Sequence, residues 1–300
     1  MKKSLMAGCR SVWLLPLFLG SWASAAIQID GFSSALHDRF ANDSQFIADS
    51  FDLSGVAIND DGRWLTMVSE NVYLSAAHFA PASGSSVTFY AGNDPSGVTA
   101  TRTLTSTQQQ IGSTDLYVGT LDAALPGGFT FYDFATEDIT SLVGGLSSFS
   151  NSIYNGENAY VFGRSPTSFS VSQDMAVGRN KIDRWFGEVS GAGSTGDAIG
   201  ANIESSGDAD FVQYEADLRV GDSGAPLFAE DGSGGLTIVG INWFNDDPDF
   251  NFFGTAYTGN DDAEIQDFIN AHAVPEASSF GLVLGLSALG LLVRRRGQHG

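Results

Sequence analysis

Three short passages of this chain hold side chains able to move a proton or attack a carbonyl. Tyr73-Leu74-Ser75-Ala76-Ala77-His78-Phe79 ends an apolar run on a histidine whose small neighbours let backbone and substrate approach the imidazole closely. Asp115-Leu116-Tyr117-Val118-Gly119-Thr120-Leu121 sets a carboxylate at the mouth of another apolar run. Gly221-Asp222-Ser223-Gly224-Ala225-Pro226 holds a serine between glycine-bearing neighbours on a tight turn. A serine hydroxyl is a poor nucleophile until a base takes its proton, and histidine is the side chain that titrates near neutrality. A carboxylate fixes the imidazole tautomer and stabilises the imidazolium that forms. Backbone N–H groups beside such a serine can converge on a developing oxyanion, where losing one donor typically costs ~10²–10³ in turnover. The residue types therefore match nucleophilic acyl transfer. Between the two ends of the chain the histidines are only His37, His78 and His272, whereas Asp115 has Asp122 as a close rival.

The elements that must position these groups lie between two end segments of different character. Lys2, Lys3 and Arg10, the apolar run Val12 to Leu19 and the small residues Ala23-Ser24-Ala25 read as a secretory signal covering residues 1–25, cleaved after Ala25. At the other end, Val274-Pro275-Glu276 precedes an apolar stretch from Phe280 to Val293 and the cluster Arg294-Arg295-Arg296. That stretch falls short of the ~20 residues of a full span, and the arginines would stay on the cytoplasmic side. Residues 274–300 thus read as a sorting or anchoring tail, and the body is expected outside the cytoplasm.

Of the 14 Lys and Arg, six lie in the end segments, and of the 35 Asp and Glu only Glu276 does. Eight basic residues against 34 acidic ones leave the body at about −26, which argues against nucleic acid or anionic lipid as a partner. The only cysteine, Cys9, falls in the signal, so the body has no disulfide, thiol nucleophile or thiolate metal site.

Short alternating runs recur between turn signals, the pattern of an all-β chain. Ser86–Ala91, Asp115–Leu121, Ala159–Phe162, Phe211–Ala216 and Thr237–Trp243 are examples, and Asp61-Gly62 reads as a hairpin turn between Gly55–Ile58 and Trp64–Val68. Ser190–Gly207 reads as a Gly/Ser-rich loop. One helix is expected near the end, capped by Asn260, with Asp261, Asp262 and Glu264 at its positive pole and Ile265, Phe268 and Ile269 as its apolar stripe. Two sets of strands, about 50–140 and 155–258, followed by that helix predict two packed antiparallel β-barrels in one unit. Residues 26–49 form an N-terminal segment that could be a pro-segment.

In order and wording, SAAH at 75–78, DLYV at 115–118 and GDSGAP at 221–226 resemble the trypsin/chymotrypsin family of serine proteases. Ile238–Trp243 and Gly254–Thr258 are similar to its substrate-binding and last strands, so the likeness spans about residues 50–272. The resemblance implies a chymotrypsin-like fold and a serine endopeptidase without metal or cofactor, acting on peptide or protein substrates. Ser223 would be the nucleophile, His78 the general base then acid, Asp115 the orienting carboxylate, and the N–H groups of Gly221 and Ser223 the oxyanion hole. Asp222 would turn inward onto a cation. No Ile-Val-Gly-Gly N-terminus exists here to supply one, so another cation, such as an arginine, or a differently built turn is expected. Asp217 and Trp243 would belong to the substrate pocket, Asp217 favouring a basic side chain, although Arg219 could neutralise it and Phe244 stands where a glycine would keep the pocket open. The C-terminal tail resembles the PEP-CTERM sorting signal of Gram-negative bacteria, with Ala277 in place of the second proline, which implies an exosortase-type partner and a monomer displayed at the surface or released.

Rival readings are weaker. Asp247, Asp249 and Asn251 alternate like a calcium loop, but Phe252 and Thr258 occupy its glycine and glutamate positions, which leaves calcium only at some other acidic loop. A hydrolase elbow needs glycine where Ala225 stands, and only His272 and His299 follow the serine. A protease-like fold kept as a surface adhesin or biofilm-matrix module remains the alternative from another class.

Overall fold

The computed structural model describes residues 26–140, 149–246 and 251–274. The signal segment, the tail from 275 onward, and Asp247 and Asp249 of the acidic run lie outside the described residues. Among the described residues no helix is long and apolar enough to cross a membrane.

After a short strand β1 (Gln28–Ile29) and a single helical turn α1 (Ser34–His37), six strands build the first sheet. These are β2 (Val56–Ile58), β3 (Trp64–Met67), β4 (Val72–Ala76), β5 (Ser86–Tyr90), β6 (Thr99–Gln110) and β7 (Leu116–Leu121). They pair antiparallel in the order β2-β3-β4-β7-β6-β5, and a bridge between Asn59 and Val87 joins the two edges. The second sheet contains β8 (Asp133–Phe134), β9 (Asn158–Gly163), β10 (Ala176–Lys181), β11 (Arg184–Gly191), β12 (Ser194–Asn202), β14 (Pro226–Glu230), β15 (Leu236–Asn245) and β16 (Phe252–Tyr257). Its order is β10-β9-β14-β15-β16-β12-β11, with β8 parallel to β15. The short β13 (Ala216–Asp217) pairs with β1, and α2 (Asp262–His272) closes the chain.

Strands that separate two apolar spaces need no polar face. In β4, Val72, Leu74 and Ala76 join the core shared by both sheets, while Tyr73 fills the inside of the first with Leu65, Met67 and Phe89. All five of its residues are buried. The shared core continues through Trp64, Val118, Phe162, Phe228 and Ile241. Each such side chain contributes ~1.5–3 kcal/mol on burial, so the seam between the sheets is held tightly, and the site sits on it.

Several expectations need correction. Ser190–Gly207 is largely the hairpin β11–β12, closed by Ala192-Gly193, both at positive φ; its small residues are strand positions paired with β16, not a loop. Of Phe211–Ala216 only the last residue is in a strand. Asn260 does not cap α2: its amide accepts from the Ile139 N–H at 3.0 Å and donates to Asp197 at 2.7 Å, leaving Asp261 at the cap position. The Asp61-Gly62 turn is as expected, with Asn59 N–H donating to the Arg63 carbonyl at 2.9 Å. Residues 26–49 pack into the body. Phe40 and Phe46 enter the shared core, and the buried Arg39 guanidinium donates to the carbonyls of Val56, Tyr90 and Gly92 at 3.0 to 3.3 Å.

Candidate active site

Each of the three passages ends on the seam. His78 occupies a 3-10 turn (Ala77–Phe79) that leaves β4, pinned by the Ala77 N–H donating to the Asp115 carbonyl at 2.8 Å. Asp115 opens β7, the neighbour of β4, and is fully buried. Ser223 lies on the turn before β14 in the other sheet.

The structure brings the three side chains into one hydrogen-bonded row. His78 Nδ1 is 2.6 Å from Asp115 Oδ2, and His78 Nε2 is 2.9 Å from Ser223 Oγ. Asp115 Oδ1 accepts from the His78 N–H at 2.9 Å and from the Ser194 hydroxyl at 3.1 Å. Three contacts on a buried carboxylate hold it against the imidazole, whose side chain keeps 16% exposure toward the cleft. Asp122, the sequence rival, is instead tied to the Thr103 N–H at 3.0 Å.

The serine turn is shaped by its backbone. Gly221 has φ +105°, a conformation that strains any residue with a Cβ. Its carbonyl accepts from Trp64 Nε1 at 3.1 Å, while the Gly224 N–H donates to Asn242 O and the Ala225 N–H to Asp222 O. Among the described residues the N–H groups of Gly221 and Ser223 have no acceptor, so both are free to meet an oxyanion.

Asp222 turns inward onto backbone N–H groups. Its carboxylate accepts from the N–H of Arg164 at 2.6 Å and the N–H of Arg219 at 2.7 Å. Burial pushes it up to about 8, against the pull of those two N–H groups and the Arg164 charge. Of the two expected alternatives, the described residues show a differently built turn, with backbone N–H groups on Asp222 and the Arg164 charge nearby. Gly163 makes room, since a Cβ there would meet Asp222 Cγ at 2.7 Å.

A cavity of about 300 Å³ adjoins Ser223, walled by Leu218, Val220, Trp243 and Phe244 with Asn242 and Asn245. Trp243 lines this cavity, and Asp217 does not. Asp217 pairs with the Arg219 guanidinium, lies 5% exposed, and borders a different cavity with Asp30, Glu204 and Glu215. Burial raises it to about 6, and Glu215 to about 7. Its strand β13 is covered by β1, a pairing that no local pattern announces. Ser194, Trp64 and Asn242 were not singled out from sequence. Each acts across a large chain separation, and Ser194 sits in the segment misread as a loop. Among the described residues no group of three or more His, Asp or Glu is arranged to hold a metal.

Solved structures carry the same arrangement of sheets. Human heparin binding protein superposes with a TM-score of 0.52 at 14% identity, over 75% of this chain and 95% of that one. A mutant of the same human protein gives 0.52 at 13% identity, over 74% and 94%. The fold is chymotrypsin-like. A protease of M. tuberculosis in its active form aligns at a TM-score of 0.44 and 16% identity, over 70% of this chain and 77% of that one. No family model and no curated protein matches the sequence. At these identities the chymotrypsin-like likeness is one of fold, and the chemistry has to be argued from the site.

Proposed function

We propose that this chain is an exported serine endopeptidase that hydrolyses peptide bonds through an acyl-enzyme. The observation that carries this reading is the unbroken row from Ser223 Oγ to His78 Nε2 and from His78 Nδ1 to Asp115 Oδ2, at 2.9 and 2.6 Å. Ser223 Oγ would attack the scissile carbonyl as His78 Nε2 takes its proton, and the buried Asp115 carboxylate would stabilise the imidazolium. The new oxyanion would meet the N–H groups of Gly221 and Ser223. Collapse then returns the proton from His78 to the departing amine and leaves an ester on Ser223. Water, deprotonated by His78, cleaves that ester and restores the hydroxyl. Leu218, Val220, Trp243 and Phe244 make the walls largely apolar and suit an uncharged side chain on the acyl side, with the charge of the lining residue Arg219 countered by Asp217.

Export would follow from the signal at residues 1–25, and residues 274–300 would direct sorting by an exosortase-type partner to the surface of a Gram-negative cell, with the protease acting as a monomer on peptide or protein substrates. N-terminal sequencing of the mature protein is expected to begin at Ala26. The deciding test of activity is a fluorophosphonate probe applied to the folded body. Wild type is expected to label and Ser223→Ala to stay unlabelled. A folded wild type that does not label would overturn the peptidase reading in favour of the surface adhesin.

A further inference from the structure

Eight basic residues serve a body of 34 acidic ones, and seven of them have an acceptor: Arg39, Arg102, Arg164, Arg179, Lys181, Arg184 and Arg219. Arg63 differs. Among the described residues its guanidinium makes no hydrogen bond or ion pair; it sits over the Phe79 ring, Cζ at 3.3 Å from the centroid. A guanidinium over an aromatic face gains ~0.5–2 kcal/mol from the ring, and here its N–H donors have no acceptor among the described residues. The charges it feels are Asp61, at the exposed hairpin tip, and Arg164, which opposes it.

Its backbone is pinned. The Arg63 N–H donates to Asn59 Oδ1 at 2.7 Å, and the preceding Gly62 carbonyl accepts from the Arg164 guanidinium at 2.7 Å. Next in the chain, Trp64 donates to the Gly221 carbonyl on the serine turn. Phe79 follows His78 in the same 3-10 turn and borders the cavity at Ser223. On the endopeptidase reading, the acyl part of a substrate would be received by the walls at 218–221 and 242–245. The departing amine must take its proton from His78 Nε2, so the residues after the cut pass along the wall of His78 and Phe79, where Arg63 stands.

We propose that Arg63 is a specificity residue for the leaving side of the scissile bond, binding an Asp or Glu side chain of the substrate one or two residues after the cut. This rests on the endopeptidase reading above. A carboxylate is the group that matches free, coplanar guanidinium donors, and a preset geometry spares most of the ordering cost.

The test uses a peptide that the wild type cleaves, made in paired forms with Asp or Asn at each of the two leaving-side positions, beside an ester substrate with a non-peptide leaving group. At low salt the Asp form at one position is expected to be cleaved with kcat/KM about tenfold higher, an advantage that shrinks as salt rises. In Arg63→Gln the Asp/Asn ratio falls to about one, Arg63→Glu inverts it, and Arg63→Lys restores part of it. Each ratio is taken within one variant, so any general loss of turnover from moving Phe79 cancels. Ester turnover with an Asp/Asn ratio near one in wild type, or a ratio unchanged by Arg63→Gln, overturns the assignment of Arg63 and leaves the peptidase reading standing. A folded wild type that neither turns over the ester nor takes the fluorophosphonate overturns both.

Discussion

Two carboxylates, Asp115 on the first sheet and Asp222 on the second, are both fully buried yet satisfied in opposite ways. Asp115 spends its acceptors on groups that can change during a reaction: an imidazole, a hydroxyl and the N–H of the histidine itself. Asp222 accepts from two backbone N–H groups. On the proposed reading, the contrast separates a carboxylate placed to steer a proton from one placed to hold a turn. Each buried acceptor costs ~1–3 kcal/mol if its donor is lost, but only at Asp115 does the loss also misorient a base.

The comparison can be broken by substitution. Asp115→Asn keeps the shape but disturbs the imidazole tautomer, and kcat is expected to fall on the order of 10⁴-fold with the melting temperature little changed. A drop under tenfold would leave Asp115 as a structural carboxylate. Asp222→Asn can no longer accept equally from both N–H groups; we expect a stability loss of ~1–3 kcal/mol in denaturant melts and a kcat lower by ~10²-fold as the turn shifts its donors. A variant with native turnover would separate Asp222 from the turn's geometry. Ser194→Ala removes one of three contacts on the Asp115 carboxylate, so a fall of about tenfold in kcat with KM nearly unchanged is expected, and an effect on KM alone would argue against a role through Asp115.

The same contrast predicts the smallest and most gradual effect, a pH dependence of stability. Asp222 rises from 3.8 to about 8 on burial, Glu215 from 4.5 to about 7, and Asp217 from 3.8 to about 6. Each binds its proton more tightly folded than unfolded, so the contribution is fully present below about pH 4 and is lost as pH rises through 6 to 8. Thermal melts from pH 4.5 to 9 should show a decline that flattens in Asp222→Asn; an unaltered slope in that variant would move the burden to Glu215 and Asp217.

The catalytic candidates were legible because their chemistry demands short words: small residues before His78, a carboxylate opening a strand at Asp115, glycines around Ser223. The terminal helix was legible through Ile265, Phe268 and Ile269, whose spacing follows one helix face. Strands β11 and β12 were not, because their Gly, Ser and Ala content mimics a loop until cross-strand pairing is seen. Nor was the burial of Arg39, whose acceptors are carbonyls that any sequence could present.

The sequence by itself therefore determined the all-β class, the acidic and disulfide-free body, and which three side chains were suited to acyl transfer, since these depend on residue type and short spacing. Only the tertiary structure decided that Ser194 helps hold Asp115, that Asp217 pairs with Arg219 on a strand bonded to β1, and that, among the described residues, backbone N–H groups hold Asp222. Those outcomes depend on which strands lie side by side, and pairing between distant segments is set by the packing of the whole core rather than by any local pattern.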